Sequence, residues 1–160
     1  MAHAAPLKKR KGILGGLALT TVAVGLYWSL IVAPPDAYQG EAQRIMYLHL
    51  PSILTAYLSY FLVFVGSGMY LWKREKKDDL LAHAAAELGV LFTALTIIEG
   101  SIWGKPTWGV WWTWDARLTL TAILLLIYAG YLMLRSLIDD EQRAASAAAI
   151  LGIIGFLDIP

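Results

Sequence analysis

The sequence contains no cysteine, and only 16% of its 160 residues are charged, against roughly 25% in a typical soluble domain. The lack of cysteine excludes disulfide scaffolds, thiolate metal sites, cysteine nucleophiles and thiol-based cofactor attachment within this chain. Neither sign of charge predominates, because 13 Lys and Arg balance 12 Asp and Glu, and the overall charge gives no case for a nucleic-acid partner. Hydrophobic residues make up 58% of the chain, which excludes an ordinary soluble globule.

Four apolar runs are long enough to cross a membrane as helices, since a bilayer core about 30 Å thick needs roughly 20 residues. A fifth run reaches only about 21 Å at roughly 1.5 Å per residue, so it is partly buried, tilted into the interface, or cut off by the end of the chain. We predict an all-α integral membrane protein, a single domain over residues 1–160, with four full transmembrane helices and a short or truncated fifth. The runs are 12–33, 52–72, 80–103, 118–134 and 144–157.

If the chain crosses the membrane back and forth, most of its Lys and Arg residues fall on one side. This distribution predicts the orientation, because Lys and Arg beside short loops stay on the cytoplasmic side. We therefore expect a cytoplasmic N-terminus, with the loops 34–51 and 104–117 facing outward together. A cleaved signal peptide in place of the first helix is an open alternative, although its apolar core exceeds the usual 7 to 15 residues. The inner set is Lys8, Lys9, Arg10, Lys11, Lys73, Arg74, Lys76, Lys77, Arg135 and Arg143, and the outer set is Arg44, Lys105 and Arg117.

A histidine lies at the end of the first outward segment, at the expected membrane boundary. The apolar positions 38, 42, 45 and 46 share a helical stripe that His49 continues, just before Pro51. A neutral imidazole there could ligate a metal or haem iron, or simply hydrogen-bond a carbonyl, and from this residue alone the second interpretation is favoured. His3 and His83 are expected to be solvated or structural.

Five of the seven tryptophans fall within twelve residues of the second outward segment. A membrane-interface belt needs only one or two rings per helix end, so the excess favours a stacking surface for a large planar ligand, with porphyrin the obvious candidate. If residues 108–114 are helical, rings 108, 111 and 112 share one side. The cations Lys105, Arg117 and Arg44 could meet the propionates of a porphyrin. The tryptophans are Trp103, Trp108, Trp111, Trp112 and Trp114.

Three carboxylates, one in the second outward segment and two in the third apolar run, have both structural and functional interpretations. Asp115 precedes Ala-Arg-Leu and is well placed as the N-cap of the fourth membrane helix, which leaves open a further role in orienting Arg117 or a tryptophan N–H. Glu87 and Glu99 lie inside the third apolar run, where ionisable groups mostly face the bundle interior or a polar cavity, unless both are near the ends of a tilted helix. Glu99, one turn from Trp103, is the stronger candidate for a functional role.

The segment WGKPTWGVWWTWDARLT, residues 103–119, closely resembles the tryptophan-rich WWD motif of the haem-handling proteins of cytochrome c maturation, the CcmC, CcmF and CcsA superfamily. With RIMYLHLP at residues 44–51 and the Gly-Lys-Pro variant, the chain is most similar to the haem exporter protein C family over about residues 17–160. The resemblance implies a bacterial inner-membrane protein, not an enzyme, that holds haem b on its periplasmic face. It also implies delivery to the haem chaperone CcmE beside the ABC transporter pair CcmA and CcmB and the small protein CcmD.

The resemblance also implies the residues of the haem site. In that family the tryptophan segment carries haem and two outward histidines ligate the iron, and His49 matches the first of them. The second lies in a loop after the fifth helix, where this chain ends at residues 158–160, so we expect a partial chain with half of the axial pair. The residues expected around haem are His49 as iron ligand, with Trp103, Trp108, Trp111, Trp112, Trp114, Asp115, Arg117, Arg44 and Lys105.

Three other functions are weighed against haem binding and handover. The first is the membrane part of a cytochrome c haem lyase or synthase, but those relatives are much larger and carry further histidines. The second is a transporter permease subunit, for which the sequence offers only two intramembrane Glu and no P-loop. The third is a purely structural role in which the tryptophans anchor the chain in the membrane and His49 is a helix-end residue.

Overall fold

The structure, a computed structural model, describes the backbone of residues 4–160 and the side chains of residues 10–160. His3, predicted to be solvated or structural, lies outside the described residues. Within them the chain is helical without strands, and four stretches are long and apolar enough to cross a membrane, which confirms the predicted all-α membrane fold. The helices are α1 (Ala4–Tyr27) with a following π-turn (Trp28–Val32), a 3₁₀ turn (Glu41–Ile45), α2 (Met46–Lys73), α3 (Lys76–Trp108), α4 (Ala116–Leu137) and α5 (Glu141–Phe156).

The chain forms two compact units, residues 1–44 and residues 45–160. In the first unit, the segment after α1 is tied back to the end of the first apolar stretch by Arg44. Its guanidinium donates to the backbone carbonyls of Leu30, at 2.6 Å, and Ala33, at 3.0 Å. This arginine therefore satisfies carbonyls at a helix end, where four such groups lack partners within the helix.

The second unit is a bundle of α2 to α5 whose core combines tyrosine rings with small residues. Tyr60 and Tyr128 are fully buried and stack with ring centroids 3.9 Å apart. The Tyr60 hydroxyl lies 2.8 Å from Oγ1 of Thr93 on α3. A Cβ at Gly89 would overlap the Tyr60 ring, so glycine is needed for α2 and α3 to approach this closely. These contacts fix the heights and rotations of the helices that carry the site described below.

Helix α5 is the short fifth helix that the sequence predicts. The structure shows that it is partly buried. Its small-residue face packs against α2 and α4, and a Cβ at Gly152 would lie 2.9 Å from a Val63 methyl group. The buried residues of this face are Ala144, Ala145, Ala148, Ala149, Gly152 and Gly155.

Helix α2 begins at Met46, six residues before the predicted start of the second apolar run, and it passes through Pro51. The next residue, Ser52, donates its hydroxyl to the Leu48 carbonyl at 2.9 Å. Pro51 lacks the N–H that would bond the Tyr47 carbonyl, so the Ser52 hydroxyl bonds the neighbouring carbonyl and does not replace the missing bond. His49 therefore lies on a helix and not in the loop that the sequence predicted. Helix α1 begins eight residues before the predicted start of the first run, and α3, α4 and α5 differ from their predicted bounds by one to five residues at each end.

A buried ion pair joins α3 and α4 at the end of the bundle far from His49. Nη2 of Arg135 donates to Oδ2 of Asp79 at 2.8 Å, Nη1 pairs with Oδ1, and the two side chains are 14% and 6% exposed. We expect Arg135→Gln to lower the free energy of unfolding by about 3–5 kcal/mol, because it leaves a buried carboxylate without its cation. Lys76→Gln, which removes the exposed pair with Glu141, should change stability little. Unfolding in detergent micelles measures both, and equal losses would contradict the prediction.

Candidate ligand-binding pocket

A cavity of about 210 Å³ lies at the end of the bundle where α2 begins, α3 ends and α4 begins. Its wall is mainly aromatic and aliphatic, and Arg117 is the only Lys, Arg, Asp or Glu among the residues that line it in the described chain. Four of the five clustered tryptophans contribute to the wall. The predicted site residues that line it are His49, Trp103, Trp108, Trp111, Trp112 and Arg117.

The imidazole of His49 is held between Trp103 and the backbone of α3. Its ring centroid lies 5.8 Å from that of Trp103, with the planes at 61°, an edge-to-face arrangement. A Cβ at Gly100 would lie 3.1 Å from Cε1 of the imidazole, which is closer than most side chains tolerate. Nδ1 is buried without a hydrogen-bond partner among residues 10–160. The imidazole is thus oriented by packing and retains unused hydrogen-bonding capacity.

Helix α3 continues five residues beyond its predicted end and stops at Gly109, which has a φ of +80°. The N–H of Gly109 donates to the Lys105 carbonyl at 3.0 Å, and the Lys105 ammonium donates to the Gly109 carbonyl at 2.9 Å. The Trp108 ring folds back over Gly104, where a Cβ would lie 3.2 Å from Cε3 of the indole. Lys105 therefore closes the helix end, a role that the sequence analysis did not assign to it.

The tryptophan loop, residues 109–115, is irregular, so the helical arrangement considered for residues 108–114 does not occur. Trp112 and Trp114 instead meet edge to face, with ring centroids 5.6 Å apart and planes at 77°. Trp112 is half-buried against the cavity, whereas Trp114 is 80% exposed and does not line it. Trp114 therefore packs against Trp112 in the loop while most of its own surface remains exposed.

Asp115 is the N-cap of α4, as the sequence predicts. Its Oδ1 accepts the Leu118 N–H at 3.0 Å, and its Oδ2 accepts the Thr113 hydroxyl at 2.6 Å. The hydrogen bond from Thr113, followed by that from Leu118, holds the pKa of Asp115 below its usual range. The carboxylate thus fixes the junction between the tryptophan loop and α4, and with it the position of Arg117.

We expect Asp115→Ala to lower the thermal unfolding midpoint by a few degrees and Asp115→Asn by less, because asparagine can still cap a helix. The depressed pKa means that the charge stabilises the fold above the unfolded value of about 3.9 and ceases to do so as the pH falls through the folded value. The advantage of the parent over Asp115→Asn should therefore shrink below about pH 4. Calorimetry in micelles at neutral and acidic pH measures this difference, and equal losses in both variants at neutral pH would contradict the capping role.

Several residues of the cavity were not predicted from the sequence. Thr96 and Gly100 line it from α3 together with Trp103, and Ile53 lines it from α2 together with His49. Their spacings of three and four residues place them on the same helix faces as the predicted site residues, and this was the signal that could have found them. The predicted residues Lys105, Trp114 and Asp115 do not line the cavity, and Arg44 bonds carbonyls within the first unit.

Four buried polar atoms at or beside the cavity lack a hydrogen-bond partner among the side chains and backbone that the structure describes. Such atoms are rare in folded proteins, so their concentration here indicates a place where polar ligand atoms or adjustable contacts are accommodated. The wall combines an imidazole, an indole N–H, a guanidinium and tryptophan faces, a set suited to a planar ligand with a metal centre and acidic groups. The four atoms are His49 Nδ1, Thr96 Oγ1, Glu99 Oε2 and Trp112 Nε1.

The fold and the cavity define an α-helical, multi-pass membrane protein with a tryptophan-lined pocket at one end of its bundle. The sequence model of the family described as "Heme exporter protein C", CcmC, matches residues 5–160. The chain belongs to this family.

Curated relatives named "Heme exporter protein C" are similar to most of this chain. The protein of Bradyrhizobium diazoefficiens is 44% identical over 155 residues, which cover 92% of this chain and 57% of the relative. That of Haemophilus influenzae is 41% identical over 144 residues, 90% of this chain and 58% of the relative. That of Escherichia coli K12 is 38% identical over 143 residues, 89% and 58% respectively. The chain thus spans somewhat under two thirds of the length of these relatives.

Proposed function

We propose that this chain binds haem b in the tryptophan-lined cavity and presents it on the outer face of the bacterial inner membrane during cytochrome c maturation. His49 ligates the iron, the tryptophan rings contact the porphyrin, and Arg117 pairs with a propionate. Binding and release need no covalent chemistry on this chain, so the proposed role is that of a transfer protein and not of an enzyme.

The observation that carries this proposal is the meeting of His49 with four tryptophans and Arg117 around one cavity. Histidine is a common axial ligand of haem iron, and aromatic rings favour contact with a flat apolar ligand. An arginine guanidinium binds a carboxylate better than a lysine ammonium does, because its planar group can donate two hydrogen bonds at once. An anchor in the membrane interface would need neither the histidine nor the cavity.

The size of the cavity favours partial insertion of the haem. Small-molecule sites usually enclose about 300–1,000 Å³, and this cavity of about 210 Å³ is smaller. It suits one edge of a porphyrin, with the remainder of the ring left outside, where Trp111 is 58% exposed. A haem held by one edge remains accessible to a second protein, which is what a handover requires.

The proposed partners follow from the family resemblance. They are the haem chaperone CcmE as recipient, with the transporter pair CcmA and CcmB and the small protein CcmD as neighbours in the membrane. The outward orientation is supported by the basic residues, ten of which fall on the predicted cytoplasmic side and three on the other. His49, the tryptophan loop and Arg117 lie at the end of the bundle that this distribution assigns to the outside.

A haem titration of the purified chain in detergent micelles tests the proposal. Binding should saturate at one haem per chain, with a shifted Soret band and quenched tryptophan fluorescence, because the rings line the cavity. Empty micelles titrated in parallel correct for haem that dissolves in detergent. A folded chain that shows no saturable uptake would contradict the proposal and favour the membrane-anchor interpretation.

A further inference from the structure

Glu99 and His49 lie on turns of α3 and α2 that face one another. Ser52, one turn after His49, has its Oγ 3.2 Å from Oε1 of Glu99. Gly100, the residue after Glu99, is the one against which Cε1 of the imidazole packs. The two contacts bring the carboxylate and the imidazole into one neighbourhood.

Each of the two side chains has one buried polar atom without a partner among residues 10–160, Nδ1 of His49 and Oε2 of Glu99. The two atoms are chemically complementary, because an imidazole Nδ1–H donates a hydrogen bond and a carboxylate oxygen accepts one. His49 lines the cavity, whereas Glu99 does not.

We infer that Glu99 is a positioning residue that accepts a hydrogen bond from Nδ1–H of His49 and leaves Nε2 to ligate iron. Histidine ligands of metals usually donate their other ring N–H to a carboxylate or carbonyl, which fixes the tautomer and raises the basicity of the ligating nitrogen. The inference rests on the proposed haem site and adds a residue that does not touch the haem. The competing acceptor is the backbone carbonyl of Thr96, which also lies beside the imidazole.

Substitutions of Glu99 test this role, with Glu87→Leu as the matched control on the same helix. The Glu87 side chain is 62% exposed, and its Oε1 lies 3.6 Å from Nε2 of His83. It does not line the cavity. We expect Glu99→Leu to weaken ferric haem binding by roughly 10- to 100-fold. Glu99→Gln should cost less, because its amide oxygen still accepts a hydrogen bond, and Glu87→Leu should bind like the parent.

The reduction potential of the bound haem distinguishes a positioning role of Glu99 from a merely structural one. The negative charge of Glu99, passed through His49, favours ferric over ferrous iron, so Glu99→Leu should raise the midpoint potential. A tenfold greater loss of ferric than of ferrous affinity corresponds to a rise of about 59 mV for one electron. A Glu99→Leu chain that binds haem with the affinity and midpoint potential of the parent would overturn the inference and assign the Nδ1 bond to Thr96.

Nitrogen-15 spectra of the haem-free chain test the contact independently of haem. His49→Leu identifies the His49 signals by their loss, and the spectra then show which ring nitrogen carries the proton. An Nδ1–H signal that shifts in Glu99→Leu supports the inference, whereas an unshifted signal overturns it. A folded parent that takes up no haem would overturn the proposed function, and these spectra would still decide whether Glu99 contacts His49.

Discussion

Replacing His49 by alanine is expected to weaken haem binding by roughly 100-fold or more, because even the loss of a partner that only supports a metal ligand typically costs 10- to 100-fold. The variant should also lose the spectrum of a histidine-ligated haem. His49→Leu provides the same loss of ligand while filling more of the space against Trp103 and Gly100. Equilibrium titration with ferric haem in micelles measures the effect in both variants.

Metal-free protoporphyrin separates ligation from simple shape. It has the same ring and propionates as haem but no iron, so the loss of an iron ligand should leave its affinity nearly unchanged. We therefore expect His49→Ala and His49→Leu to lower the affinity for haem strongly and the affinity for metal-free protoporphyrin only slightly. Equal losses for both ligands would show that His49 shapes the cavity without ligating iron.

The double substitution Trp111→Leu/Trp112→Leu is expected to weaken haem and metal-free protoporphyrin alike, by roughly 5- to 150-fold. Each aromatic contact contributes about 0.5–1.5 kcal/mol beyond the burial that leucine retains, and two rings are removed. The substitution leaves His49 in place, so any haem that still binds should keep its histidine-ligated spectrum.

The matched control is Trp72→Leu, which removes a strongly exposed tryptophan at the far end of α2. Trp72 is 84% exposed and does not line the cavity. It should leave both affinities unchanged, and it would share any effect that came from loss of membrane anchoring or of general apolar surface. If the double variant binds both ligands as the parent does, the tryptophans serve as an interface belt and the proposed platform is wrong.

The membrane fold could be predicted from the sequence because the bilayer sets a simple physical requirement, a long apolar run for each crossing helix. The boundaries were less predictable at the two internal prolines. The second apolar run was taken to begin after Pro51 and the third to end at Trp103, yet α2 and α3 continue through Pro51 and Pro106, since the rest of each helix is held by packing in the bundle. The consequence for function is that His49 has the fixed orientation of a helical residue.

The composition of the candidate site was largely predicted from the sequence, but its arrangement was not. The tryptophan motif and His49 indicated which residues take part. The rings do not follow a helical pattern, because Gly109 turns the chain out of α3 and residues 110–115 follow an irregular path. Lys105, expected near the propionates, instead donates to the carbonyl of Gly109. This carbonyl is within its reach only because α3 ends at Gly109.

By itself, the sequence determined the features that depend on near neighbours in the chain: the apolar spans, the density of tryptophans and the Asp115 cap, whose bond reaches only three residues ahead. Tertiary structure decided which distant residues share the cavity or meet beside it. Ser52 and Glu99 meet across 47 positions of sequence, and Thr96 and Gly100 join His49 at the same wall. Such meetings depend on the rotation and height of each helix, which close packing at glycines sets and which no local pattern specifies.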